Sequence, residues 1–429
     1  MCNEGFELYL NIRFSLTLNL QEVPGKKNME KKHWIICTEF LKAIEENNCH
    51  RVNRILDTGF DIDTDLKVQR TAISICASNG WYEMAHLLMA RGCSLSLKTS
   101  KGETPLHLAV LRSDYDLVKL LLENRADATS VDHMKKSVLH CACEMGCLSV
   151  AALVTKYSSP AVINMKDNSS KTPLMYACLN GCTALIACLL AKGAEINVTD
   201  FRGNSPLLYA IDNQKCSTEM LNLLLDAGAD INHSNDANET ALLKACQVFS
   251  NCSSYNSGSK YRDNPKYRNI LLLLIERGSN VNAKNRLCET VLHLSVGFQD
   301  ELLIRTLLNY GSDVNAITCM GIVPLVYACK KGPHRIISLL IDAGARFNFG
   351  YYDKYIGRTW PLPQDECNNP CGKFISFILN LLDKLSSRPP TLKNFCRLSI
   401  RKNLPKNIQD SVPSLPLPPS LKRFLLFLE

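Results

Sequence analysis

No uninterrupted apolar run in this 429-residue chain is long enough to cross a bilayer, which takes about 20 consecutive apolar residues. No glycine-rich phosphate loop, Gly-x-Ser-x-Gly elbow or paired acidic motif stands out, so an enzyme is the weakest of the function classes. Charge of one sign is scarce where a nucleic-acid groove would need it. The net charge is +8, but from residue 386 onward Arg388, Lys393, Arg397, Arg401, Lys402, Lys406, Lys422 and Arg423 face only Asp410 and Glu429. Eight positive and two negative charges leave +6 in the tail and a nearly neutral remainder, which argues against nucleic acid as a partner.

What is present is a phrase repeated along the chain. It is clearest in Gly102-Glu103-Thr104-Pro105-Leu106-His107-Leu108-Ala109. Thr104 is a helix N-cap, Pro105 suits the first helical position, and Leu106 and Ala109 share one face. The same register begins at Thr38, Thr71, Thr104, Ser137, Thr172, Ser205, Thr240, Thr290 and Val323, which makes nine copies. Two residues after each start an apolar slot is kept, by Phe40, Ile73, Leu106, Leu139, Leu174, Leu207, Leu242, Leu292 and Leu325. Five after it stand Ala43, Ala109, Ala142, Ala177, Ala210, Ala245 and Ala328, small enough for neighbouring helices to approach closely. A second helix follows in most copies and closes at a glycine such as Gly92, Gly193, Gly311 or Gly344, the expected left-handed cap.

Twenty cysteines raise the question of disulfides or metal. Their register answers it: the slot six residues after each start holds Ile44, Ala77, Val110, Cys143, Cys178, Ile211, Cys246, Val296 and Cys329. Cysteine exchanges there with small apolar residues and so behaves as core, including in Cys141-x-Cys143-x3-Cys147. Thiols used this way favour a reducing compartment, and neither a metal nor a cofactor is implied.

The period near 33, the Thr-Pro-Leu-His helix start and the glycine-closed second helix together resemble the ankyrin repeat. The resemblance implies an all-α solenoid of about nine repeats with short hairpin links, over residues 33–349. It also implies that His107, His140 and His293 hydrogen-bond backbone between neighbouring units, a structural role in place of a catalytic one. Residues 1–32 precede the repeats as a leader. Within it Phe6, Leu8, Leu10, Ile12, Phe14, Leu16, Leu18 and Leu20 alternate with mostly polar residues, which reads either as a loosely docked or disordered leader or as a strand pairing with another chain. The first repeat, with Thr38-Glu39 in place of Thr-Pro, reads as a water-tolerant cap. The step of 50 between Thr240 and Thr290 contains a Ser/Asn/Gly-rich insertion, residues 247–265, expected as an exposed loop between the helices of the seventh copy; it either carries contacts or has no role.

After residue 349 the pattern stops. Residues 350–386 hold an aromatic, proline-broken linker and a helix over Phe374–Leu382 that is apolar almost all round and must be buried. In residues 387–429, Thr391 can cap a helix behind Pro389-Pro390, with Leu392, Cys396 and Ile400 on one face and Phe395 flanking; Leu415-Pro416-Leu417-Pro418 follows. This order resembles the SOCS box, here a small C-terminal helical element, and the whole resembles the ankyrin repeat and SOCS box family. Phe395 stands where a leucine is usual and Phe424 where tyrosine is frequent.

The resemblance implies a non-catalytic, intracellular substrate-recognition subunit of a ubiquitin ligase. Leu392, Phe395, Cys396 and Ile400 would meet Elongin C of the Elongin B/C pair. Leu415, Pro416, Leu417 and Pro418 would meet cullin-5, which carries a RING partner. An unidentified protein substrate would lie on the hairpin tips and first helices, where Arg202, Tyr209 and Asn238 are candidates. The alternative is an ankyrin scaffold for protein–protein interaction whose tail is only a cap.

Overall fold

The computed structural model describes residues 26–66, 70–213, 215–251, 265–331 and 334–345, and every named element among them is helical. The chain divides into two units, residues 1–201 and 202–429. The first unit contains five helix pairs: α1 (Lys26–Glu45) with α2 (Cys49–Leu56), α3 (Ala72–Asn79) with α4 (Tyr82–Ala90), α5 (Pro105–Leu111) with α6 (Tyr115–Glu123), α7 (Val138–Met145) with α8 (Leu148–Tyr157), and α9 (Pro173–Asn180) with α10 (Thr183–Ala191). A 3-10 turn, Pro160–Asn164, follows α8. The second unit contains four: α11 (Pro206–Asp212) with α12 (Thr218–Asp226), α13 (Ala241–Asn251) with α14 (Pro265–Glu276), α15 (Val291–Phe298) with α16 (Glu301–Asn309), and α17 (Pro324–Lys331) with α18 (His334–Asp342).

Within each unit, first helices stack on first helices and second on second, so each pair contacts its neighbours and little else. The repeat register explains why. The residue two after the start is fully or almost fully buried in every copy, from Phe40 to Leu325, and each such side chain contributes about 1.5–3 kcal/mol by leaving water. The alanines five after the start are also buried, which lets first helices stand side by side. Cys143, Cys178 and Cys246 lie at 0 % exposure in the slot next to them, beside Ile44, Ala77 and Val110 in the other copies, and the described cysteines are all free. Burial pushes the thiol of Cys141 up to about 12 and that of Cys143 well above its ordinary value, as befits core side chains.

Glycine closes second helices where the backbone turns left-handed, with φ of 89° at Gly193 and 81° at Gly311. In the third copy Arg125 occupies that position at φ 67°, a conformation that costs a side chain energy.

Two features differ from the sequence reading. The first helix runs unbroken from Lys26 to Glu45, so Thr38 is an interior residue whose hydroxyl donates back to the Ile35 carbonyl at 2.7 Å. No proline follows Thr38 to force a helix start, and the helix enters the stretch assigned to the leader. The insertion does separate the two helices of the seventh copy, but α13 continues through Asn251, so its first residues are helix and not loop. The alternating segment Phe6 to Leu20 and the helix expected over Phe374–Leu382 lie outside the described residues.

Candidate protein-binding surface

Between consecutive helix pairs the chain makes a hairpin, and the hairpin tips are built by a recurring side chain five residues before each helix cap. In the fourth copy Asp132 Oδ1 accepts from the backbone N–H groups of Met134 and Lys136, both at 2.8 Å. Asp167 does the same for Ser169 and Lys171 at 2.7 and 2.8 Å, and Asn235 for Ala237 and Glu239 at 2.9 Å each. Asn285 repeats the motif with Leu287 and Glu289, again at 2.9 Å. Each tip is then hydrogen-bonded to the next. His133 N donates to the Lys101 carbonyl at 3.0 Å, Asn168 N to Met134 at 2.9 Å, Asp236 N to Arg202 at 3.1 Å and Cys319 N to Leu287 at 3.0 Å. The tips therefore form a fixed ladder within each unit, and the side chains on them have defined positions relative to one another.

A second ladder runs one step nearer the helices. Asn282 Oδ1 accepts from Asp313 N at 2.7 Å while its Nδ2 donates to the Gly311 carbonyl at 3.1 Å. Asn164 spans to Glu195 N and the Gly193 carbonyl in the same manner, and Asn232 to Asn280 N and the Gly278 carbonyl. Neither ladder was read from the sequence. The signal for the first was there: Thr99, Asp132, Asp167, Asp200, Asn235, Asn285 and Thr318 all stand five residues before a cap.

The histidines connect copies as the resemblance implied. His107, His140 and His293 are fully buried. In each, Nδ1 accepts from the backbone N–H of the cap residue, at 3.3 Å from Thr104, 3.1 Å from Ser137 and 3.2 Å from Thr290. The other nitrogen, Nε2, faces the carbonyls of Lys136, Lys171 and Ile322 at 3.3, 3.0 and 3.2 Å. A carbonyl can only accept and an amide N–H can only donate, so the ring is neutral with its proton on Nε2. Burial holds all three below the ordinary imidazole value. Both nitrogens are committed to the fold, and no cluster of three or more His, Cys, Asp or Glu side chains among the described residues could hold a metal ion.

Beside the tips, the residue four after the cap is a tyrosine in three copies. Tyr176 donates to Asp167 Oδ2 at 2.7 Å and meets the His140 ring edge-on, with centroids 5.7 Å apart. Tyr327 donates to Glu289 Oε1 at 2.9 Å, and burial with that carboxylate pushes its hydroxyl up to about 12. Tyr209 is the third, half-buried on α11. Of the candidate substrate contacts, Arg202 is exposed on one tip and Asn238 on the next, Asn238 at the left-handed position with φ 56°. The Asp236 N to Arg202 carbonyl bond joins those two tips. The tail residues Leu392, Phe395, Cys396, Ile400, Leu415, Pro416, Leu417 and Pro418 lie outside the described residues. Among the described residues no helix is long and apolar enough to cross a membrane.

Comparison with known proteins follows the same division. A family model for ankyrin repeats, three copies to the model, matches residues 40–132, 112–200, 139–235 and 262–350, and the SOCS box model matches residues 388–426. The B-cell lymphoma 3 protein homolog of Mus musculus is 31% identical over 189 residues, 43% of this chain and 41% of the mouse protein. The transient receptor potential cation channel subfamily A member 1 of Drosophila melanogaster is 26% identical over 262 residues, 59% of this chain and 18% of its own length. Thus the chain spans less than half the length of these two relatives. Ankyrin repeat and SOCS box protein 6 of Homo sapiens is 26% identical over 377 residues, 82% of this chain and 79% of the human protein. With repeats matched over most of its length and a SOCS box behind them, the chain belongs to the ankyrin repeat and SOCS box family.

Proposed function

We propose that this chain is the substrate-recognition subunit of an Elongin B/C and cullin-5 ubiquitin ligase. The observation that carries the reading is the SOCS box match over residues 388–426, directly behind ankyrin matches that reach residue 350. All eight candidate tail contacts fall inside it. Leu392, Phe395, Cys396 and Ile400 dock on Elongin C. Leu415, Pro416, Leu417 and Pro418 select cullin-5 and its RING partner, with the prolines lowering the ordering cost of docking. The domain division is a leader to residue 32, repeats over 33–349, a linker with a capping helix over 350–386 and the SOCS box over 387–429.

The chain itself performs no bond-making. It holds a protein client against the ladder of tips while the tail fixes the ligase, and the gain in rate comes from holding a charged ubiquitin carrier near client lysines. Arg202, Tyr209 and Asn238 contribute to client contact in this reading, and the outcome for the client is ubiquitination and proteasomal degradation. The setting is intracellular, because the buried thiols must stay reduced, which the cytoplasm provides.

Changing Leu392 and Cys396 together to aspartate is expected to abolish co-purification of Elongins B and C while leaving the circular dichroism melting curve in place. Changing Pro416 and Pro418 to alanine is expected to retain the Elongins and weaken cullin-5 capture. Undiminished Elongin recovery from the aspartate variant, or none from the unaltered protein, would establish the scaffold reading in place of the ligase one.

A further inference from the structure

The near-neutral charge of the repeats conceals a local imbalance on the first unit. Three consecutive tips, residues 98–103, 131–136 and 166–171, carry Lys98, Lys101, Lys135, Lys136, Lys166 and Lys171. The acidic residues on the same tips are Glu103, Asp132 and Asp167. Two of these are turned to internal use. Asp132 and Asp167 each accept two backbone N–H groups of their own tip, and Asp167, buried, also accepts the Tyr176 hydroxyl. Glu103 is half-buried and lies 3.3 Å from the Thr99 hydroxyl. By contrast Lys101, Lys135 and Lys166 are exposed, and none of the three makes an ion pair.

The remaining lysines are held in place. Lys98 Nζ donates to the Val131 carbonyl of the next hairpin at 2.7 Å. Lys136 Nζ lies 4.8 Å and Lys171 Nζ 5.6 Å from the centroid of the Tyr176 ring, and Lys136 also pairs with Glu144 of α7 at 2.7 Å. Because Glu144 reaches the tips, Leu179, its counterpart on α9, stands on the same side; it is exposed, as is Met134 on the middle tip. The surface is thus a row of ammonium groups with apolar contacts between them.

We infer that these three tips form a docking site for an acidic, extended segment of a client protein, one in which aspartate or glutamate alternates with apolar side chains. The inference rests on the proposed client-binding role and names the chemistry of the client. Positive potential from the exposed lysines and the held ones beside them steers and aligns such a segment, while Met134 and Leu179 supply apolar contact. A nucleic acid fits less well. Glu103 and Glu144 stand among the lysines, and the Tyr176 ring is buried, with two ammonium groups beside it, so it is not open for a base to stack on.

The test uses the full chain with its Elongins and three fluorescein-labelled probes: a peptide alternating Glu and Asp with Leu, the same peptide with Gln and Asn in place of the acids, and a single-stranded oligothymidylate of equal charge. Anisotropy is expected to show the acidic peptide binding at least about tenfold more tightly than the amide peptide, with affinity falling as salt rises. The triple variant Lys101→Glu, Lys135→Glu, Lys166→Glu should lose that preference, and the milder Lys101→Gln, Lys135→Gln, Lys166→Gln should lose most of it. Lys119→Glu, on α6 beside Glu123, should leave it unchanged. Equal binding of the two peptides, unaltered binding by both triple variants, or tighter binding of the oligothymidylate overturns the inference. Elongin recovery from the same preparations separates the two readings: retained Elongins without peptide preference fails only the docking site, and peptide preference without Elongins fails only the ligase assignment.

Discussion

Among the described residues three helix caps hold a buried hydroxyl with no hydrogen-bond partner: Thr71, Thr172 and Ser205. Three others, Thr104, Ser137 and Thr290, have theirs 2.9, 2.8 and 3.0 Å from a histidine Nδ1. The difference is the residue three positions on, which is Ser74, Met175 or Leu208 in the first set and histidine in the second. Replacing threonine by valine keeps the shape and removes the hydroxyl, so the two sets should respond with opposite sign. Thr104→Val is expected to cost about 1–2 kcal/mol, and Thr172→Val to be neutral or to stabilise by up to about 1 kcal/mol, both read by urea denaturation. At this scale the sequence was informative about which residue caps and which is buried, because both follow from spacing along one helix. Whether a cap hydroxyl is satisfied depends on one side chain a turn away, and only the folded geometry reveals it.

At the scale of the element, hairpins are tied to hairpins by asparagines eight residues before the next cap. Asn282 serves two backbone groups of the following copy at once, so Asn282→Ala leaves both Asp313 N and the Gly311 carbonyl without their partner. A loss of about 1–2 kcal/mol is expected, with faster hydrogen exchange at the Asp313 amide than at the helix amides on either side. The pairs Ile163-Asn164, Ile231-Asn232 and Val281-Asn282 recur in the sequence, but a residue that bonds across to the next repeat has no local pattern to announce what it touches. The same limit applied to α1. Its continuation back to Lys26 follows from the lack of any breaker between there and Thr38, while the repeat register drew attention to Thr38 as a start. The seventh copy shows the converse: helices on both sides of the insertion were legible, and only the point where α13 ends, at Asn251, was not.

For the whole molecule, the three buried histidines make stability depend on pH. Their native values are held below the ordinary 6.5 by burial, so the unfolded chain takes up protons first as pH falls. Stability is therefore fully present above about 6.5 and is lost as pH drops through the window between that value and the depressed native ones, by up to about 1.4 kcal/mol per pH unit for each histidine. Urea midpoints measured from pH 8 to pH 5 should decline only in the acidic part of that range, and His107→Gln, His140→Gln and His293→Gln should each flatten the decline while lowering the plateau. The nine-copy architecture was readable from the sequence because each copy restates the same spacing; the charge pattern on the tips was obscured by averaging over the chain, since acids that serve the backbone count equally with lysines that face water. Each of the three imidazoles bridges one copy to the next, two of them within residues 1–201 and one within residues 202–429. Nitrogen-15 spectra of those rings, recorded without any attached label, would give resident gauges of where the array loosens or tightens when a partner arrives.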